Sequence, residues 1–469
     1  MVQYRRRFHG LANAILWLPC CASRADAHAS EQGFVLLLPT DIYITAGVAS
    51  VALTVLLLAV LPAGWLRGLF RPVALWRWHG AARARVLTSC AAFLLLCALV
   101  WLGFDGPRDP LTNPLPLAIW TLWWIGLVSI QGLFGDLWRW IDPWHGPVTL
   151  SRWAFSRGPI LHLPARLGQC CAVVTYLAFV IVLLADPAPS DPARLARYVG
   201  GYWLFTYVTL LVFGPRWRLR GEGIAMLMRW YAAVGLFGRH GGRFAVGLLG
   251  WQAMARRAPR GGAAVFMLVI LGCGSFDGLN ETFWWLDLLG INPLEFPGRT
   301  AVVTQNTVGL IGANLALIAA YGLAVRLGLA LAGVDMGWRS AFCIFAPSIL
   351  PIALGYHLGH YLTSMLVNGQ YALAALNDPL ARGDSLLGMD TFYVTTGFFN
   401  TRDSVRLIWL CQAGAVVIGH ILAILMAHLV ALRWFETPRQ AVLSQLPLAG
   451  FMVLYTLFGL WLLAAPRGL

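Results

Sequence analysis

Apolar runs of about 20 residues, the length a 30 Å hydrocarbon core demands, recur ten times along the chain. They fall near 39–62, 86–104, 115–135, 165–185, 193–214, 263–283, 306–332, 341–368, 405–432 and 446–464. The ten-residue alternation of an outer-membrane barrel is absent, and only closed hydrogen-bonding geometries survive in lipid, so the predicted elements are helices. The fold expected is all-α: a polytopic helical membrane protein with about ten transmembrane helices after an N-terminal signal peptide. Two polar-flanked stretches between spans read differently. GEGIAMLMRWYAAVGLFGRHGGRF suits an interfacial amphipathic helix followed by a glycine turn, and GDLWRWIDPWHGP suits a re-entrant or interfacial turn.

The first 27 residues read as a signal peptide. Arg5, Arg6 and Arg7 form the basic region, LANAILWLPCCA is an apolar stretch too short to span comfortably, and Ala25-Asp26-Ala27 is a small-residue cleavage signal. Cleavage after Ala27 makes His28 the mature N-terminus, where α-amine and imidazole together can chelate copper. Residues 28–469 then form one integral membrane domain, with no repeat, low-complexity tract or second domain.

Composition agrees with this pattern and charge orients it. Of the residues, 59% are hydrophobic and 12% charged, with a mean hydropathy of +0.69. The net charge of +14 comes from arginine alone, since the chain has no lysine. The arginines are gathered in particular loops, a sign of topology rather than of nucleic-acid binding. Segment 63–85 holds Arg67, Arg71, Arg77, Arg83 and Arg85 without an acid, and 214–262 holds nine arginines against Glu222 alone. The alternating loops carry Asp105 and Asp109, Asp186 and Asp191, Asp287 and Glu295, then Asp378, Asp384, Asp390 and Asp403. Positive loops belong inside, which predicts a bacterial inner-membrane protein with its mature N-terminus in the periplasm. The nine cysteines form no C-x-x-C and read as small apolar residues.

Four histidines and two carboxylates stand inside strongly apolar stretches: Asp277 and Glu281, His357 and His360, His420 and His428. Each costs roughly 2.5–3.5 kcal/mol at the bilayer centre on insertion scales, so such groups are paired, ligated or lining a polar cavity. Counting 1.5 Å per residue from inner ends near 263, 341 and 433 places Asp277, Glu281, His357, His360 and His420 about 20–28 Å up, in one layer. His428 falls about 12 Å deeper and apart from the rest. The i, i+3 pair His357/His360 and the i, i+4 pair Asp277/Glu281 each face one way from their helix. With His420 they match the N/O ligand set of a divalent metal ion, Zn, Fe or Cu. Two other readings stay open: histidines hydrogen-bonded as interhelical glue to Tyr356, Tyr361, Asn314 or backbone carbonyls, and axial ligation of haem. The remaining histidines, His9, His79, His145, His162 and His240, sit in loops or the leader.

SILPIALGYHLGHYL, NDPLARGDSLLG, VIGHILAILMAHLVAL, SQLP and MVLYTLFGLWLLAAP, together with HAS near the processed start, GDLWRWIDPWHGP, RGEG and SFDGLNET, resemble the bacterial membrane proteins named fenitrothion hydrolases. The resemblance implies hydrolysis of an organophosphorus triester, an apolar small molecule that partitions into lipid, with release of a nitrophenol. On that expectation His357, His360, His420 and Asp277, with His28 as a further candidate, hold the metal. Glu281 is the general base, and Tyr361 donates to the developing charge. The rival expectations are a metal- or haem-binding transport or redox protein of the inner membrane, and a subunit that requires a partner membrane chain.

Overall fold

The computed structural model describes residues 35, 37–66, 68–77, 81–155, 158–164, 167–292, 295, 298–390 and 393–467. The signal peptide and His28 lie outside them. Eleven helices organise the rest: α1 (Thr40–Val60), α2 (Ala82–Asp105), α3 (Pro114–Phe134), α4 (Cys170–Ala185), α5 (Pro192–Phe213), α6 (Gly223–Ala232), α7 (Gly261–Leu279), α8 (Val303–Ala332), α9 (Leu350–Asn377), α10 (Arg402–Trp434) and α11 (Pro438–Ala464). Among the described residues eight helices are long and apolar enough to cross a membrane, and the chain is an all-α polytopic membrane protein.

Two of the ten predicted spans fall short of that standard. The run at 165–185 becomes the 16-residue α4, about 24 Å at 1.5 Å per residue and shorter than the hydrocarbon core. The run at 193–214 becomes α5, which opens with Arg194 and Arg197 and is less apolar than the others.

The helices differ in how far they are enclosed. In the most apolar stretches of α1 and α2 only 11% and 17% of residues are buried, whereas the figures are 72% for α7 and 89% for the stretch Trp338–Asn377 containing α9. α7 and α9 therefore form the centre, with α10, α11, α8 and α3 around them. Small residues bring α9 and α10 together. A Cβ on Gly355 would meet the carbonyl oxygen of Ala415 and lie 3.3 Å from the Cα of Gly419, and one on Gly359 would lie 2.8 Å from the carbonyl oxygen of Gln412. Gly355 and Gly359 are four apart on one face, the small-xxx-small spacing that permits close approach of membrane helices. The contact fixes the register: Gly359 lies against Gln412, and Gly419 against Pro351.

On the arginine-rich side the structure departs from the sequence expectation. α6 is packed inside the protein, with Met226, Leu227, Met228, Trp230 and Tyr231 all buried, rather than lying on a lipid surface. The glycine turn after it joins two strands, β2 (Phe237–His240) and β3 (Arg243–Val246), with Gly241 and Gly242 at φ +56° and +74°. Positive φ at both central positions is the two-residue hairpin geometry that glycine supplies without strain. A third strand, β1 (Val73–Arg77), pairs antiparallel with β3. The GDLWRWIDPWHGP stretch forms a short helix, Trp138–Ile141, and the start of another, His145–Phe155.

Candidate functional site

A cavity of about 490 Å³ opens at the end of the bundle where α4, α7 and α11 finish. Its wall is assembled from segments far apart in sequence. α3 contributes Trp120, Thr121, Trp124 and Ile125; α7 and the turn after it contribute Asp277 and Glu281; α9 contributes His360, Tyr361, Thr363, Ser364 and Asn368; α10 contributes Gln412. Leu183 and Leu184 of α4, Arg299, and the final stretch from Leu463 to Arg467 complete the rim.

Local structure explains how these side chains reach the cavity. Asn113 caps the start of α3, accepting from the Leu115 N–H at 2.9 Å and donating to the carbonyls of Leu102 and Pro107. From Leu117 to Leu127 the helix then widens into a π-helix. Such i→i+5 bonding is rare and recurs at functional sites. It sets residues four and five apart on one face, so Trp120, Thr121, Trp124 and Ile125 line up toward α9. α7 stops at Leu279. Thr282 caps the short helix Phe283–Leu288, and the N–H of Phe283 donates to the carbonyl of Pro466 at 3.0 Å. The C-terminal stretch is thereby held across the cavity mouth, with Arg467 bridged to Thr282.

Asp277 is the centre of the site. It is 8% exposed, and one carboxylate oxygen accepts from the Tyr361 hydroxyl and faces Nε2 of His360 at 3.3 Å. The His360 ring lies against Tyr356 at 5.6 Å and edge-on to Tyr361 at 4.8 Å. His357, one turn away, is wedged edge-on against Trp124 at 5.4 Å and Tyr361 at 4.9 Å. Glu281 lies just past the end of α7 and is exposed to the cavity. Arg299 donates to the carbonyls of Leu183 and Leu184 at 2.9 and 3.0 Å, satisfying two open carbonyls at the end of α4. Just behind this rim, Asp186 accepts from Arg194 at 2.7 Å and Tyr198 at 2.7 Å. Burial pushes the Asp186 carboxyl up, but the hydrogen bonds from Arg194, Tyr198 and the Ala188 N–H outweigh it and hold the group below its ordinary 3.8.

Of the residues proposed from sequence, Asp277, Glu281, His360 and Tyr361 meet in this cavity, and His357 stands directly beneath it. His420 does not join them. Its Nδ1 bonds the carbonyl of Val416 in its own helix at 2.9 Å, and its ring lies 6.4 Å from Tyr455, whose hydroxyl pairs with Ser275 at 2.5 Å. The shared layer rested on inner helix ends lying in one plane. The glycine contact instead sets Gly419 against Pro351, six residues and roughly 9 Å below His357. Gln412 occupies the position at the level of Gly359 and His360. His428 is deeper again and pairs with Gln445 at 2.5 Å.

Of the residues expected to hold a metal, His420 thus stands apart from Asp277, His357 and His360, and His28 lies outside the described residues. Among the described residues no three His, Cys, Asp or Glu side chains are grouped to hold an ion. What the arrangement can do is hold and move protons: a buried carboxylate oriented by an imidazole and a phenol, beside an exposed carboxylate, with two guanidinium groups on the rim. Sequence reading missed Arg299, Arg467, Trp120, Trp124 and Gln412, and nothing in their spacing separates them from other arginines, tryptophans and glutamines of the chain. Comparison with protein families, curated proteins and solved structures finds no match for this chain.

Proposed function

We propose that the cavity binds an apolar ester drawn from the lipid phase and hydrolyses it, the substrate class being the organophosphorus triesters that the resemblance implies. The observation that carries this reading is Asp277, a carboxylate buried within an apolar helix near its end yet facing a cavity and held by His360 and Tyr361. Such a group is costly in lipid and marks a functional site. Trp120 and Trp124 supply the apolar wall that a triester needs. Glu281 takes a proton from a water molecule as the water oxygen forms its bond to phosphorus. The bond from phosphorus to the aryl oxygen breaks, and the nitrophenolate leaves with its electron pair. Asp277 fixes His360 and Tyr361, and the guanidinium groups of Arg299 and Arg467 on the rim face the charge that develops. No step is routed through a metal. This reading has a bacterial inner-membrane protein with the cavity toward the periplasm, and the gathering of arginines in the loops 63–85 and 214–262 supports that orientation.

Hydrolysis of fenitrothion by the purified full-length protein in ¹⁸O-water tests the chemistry. The reading expects one label on the phosphorus product and none on the nitrophenol. Label on the nitrophenol, or no turnover at all, overturns it.

The burial of Asp277 and His360 also suits a second reading, a proton-coupled permease for a small apolar solute, since such pairs serve as proton relays in transporters. Uptake into proteoliposomes that depends on a pH gradient, without product formation, would favour it.

A further inference from the structure

Beneath the Asp277–His360 pair lies a second pocket of about 20 Å³, between α3, α4, α7 and α9. Four polar atoms on its lining side chains are buried and find no hydrogen-bond partner among the described residues. They are Nε2 of His357, Nδ1 of His360, Nε1 of Trp124 and the hydroxyl of Tyr356. The side chains belong to residues only 6%, 9%, 7% and 3% exposed.

Their chemistry can be read from their other contacts. Nε2 of His360 faces the carboxylate of Asp277 and carries the proton, which leaves Nδ1 an acceptor. The His357 ring meets the backbone carbonyls of Trp124 and Ile125, and Nδ1 is the nitrogen left to donate to them, so Nε2 is an acceptor as well. Trp124 Nε1–H can only donate, and the Tyr356 hydroxyl is free to donate. The lining side chains carry these two acceptors and two donors, beside Tyr176, Tyr231, Tyr361 and Cys273, and the space slightly exceeds the roughly 10–15 Å³ one water needs. A cation fits this set poorly, because the Trp124 N–H and the Tyr356 O–H would point their hydrogens at it.

We infer that the pocket binds one internal water, which donates to His360 Nδ1 and His357 Nε2 and accepts from Trp124 and Tyr356. The water bridges the two histidine side chains, and it does not depend on the hydrolysis proposed for the cavity above.

The test reads the water alone and is independent of any activity. Solid-state NMR of the full-length protein, labelled with ¹⁵N-histidine and reconstituted in lipid bilayers, should show unprotonated Nε2 in His357 and unprotonated Nδ1 in His360. Each should correlate with protons of a bound water, and His357→Asn and His360→Asn serve only to assign signals already present in the wild type. Absence of those water correlations overturns the inference. So does a metal-bound imidazole shift, or a His357 protonated at Nε2.

Discussion

Substituting Gly355 with alanine adds one methyl group at the closest approach of α9 and α10. That methyl meets the carbonyl oxygen of Ala415 and comes within 3.3 Å of the Gly419 Cα, both of them backbone atoms that cannot rotate away. Two effects oppose each other. Alanine is better than glycine inside a helix by roughly 0.5–1 kcal/mol. Overpacking a tight interface costs typically about 1–3 kcal/mol, so overpacking wins. Gly414 on the facing helix provides the control, because a Cβ there has nothing within 4 Å. The difference between Gly355→Ala and Gly414→Ala removes the propensity gain common to both and leaves the packing cost, about 1–3 kcal/mol. Thermal unfolding in detergent micelles, following tryptophan fluorescence, should show Gly414→Ala at or above the wild-type midpoint and Gly355→Ala clearly below it. Equal midpoints for the two variants would refute the register argument, and with it the reason that Gln412 rather than His420 shares the level of His360.

Further expectations follow from the same structure. Elemental analysis of the purified protein should find less than one Zn, Fe or Cu per chain, because His420 lies apart from His357 and His360; a stoichiometric metal lost on His420→Ala would contradict this. Tyr361→Phe removes the hydroxyl that Asp277 accepts from and should lower hydrolysis about 10-fold or more, within the range of a lost charge-assisted hydrogen bond, read as nitrophenol release. Burial, together with Arg85 and Arg218 nearby, lowers the His145 imidazole from 6.5 to about 4. The folded protein therefore leaves it neutral where the unfolded chain takes up a proton, and its contribution, present above about 6.5, is lost as pH falls toward 4. Unfolding midpoints measured across that window should fall less steeply for His145→Asn than for the wild type.

The helical membrane architecture was legible because each span is a long apolar run that few other structures tolerate. The site was legible only in part. Asp277, Glu281, His360 and Tyr361 could be found because ionisable or polar groups inside apolar runs stand out, and because each pair lies on one side of a helix. His420 was misplaced since counting from helix ends assumes a common plane, whereas register is set by contacts such as Gly355 against Gly419. The π-helical segment of α3 has no polarity signal, so Trp120 and Trp124 read as ordinary anchors. Arg467 enters the site only because Pro466 pairs with Phe283, a contact between residues 183 apart. The strands β1 to β3 are short and lie in loops that read as basic connections, and β1 finds its partner more than 160 residues away.

The proposed ester hydrolysis depends on the buried Asp277 carboxylate that holds His360 and Tyr361. Nitrophenol release from fenitrothion by wild-type and Asp277→Asn protein in proteoliposomes, matched for unfolding midpoint, tests it most directly. Turnover by the wild type and a loss of about 10²-fold in the variant are expected, the cost of misplacing the groups that the carboxylate holds. Equal rates in the two proteins would contradict it.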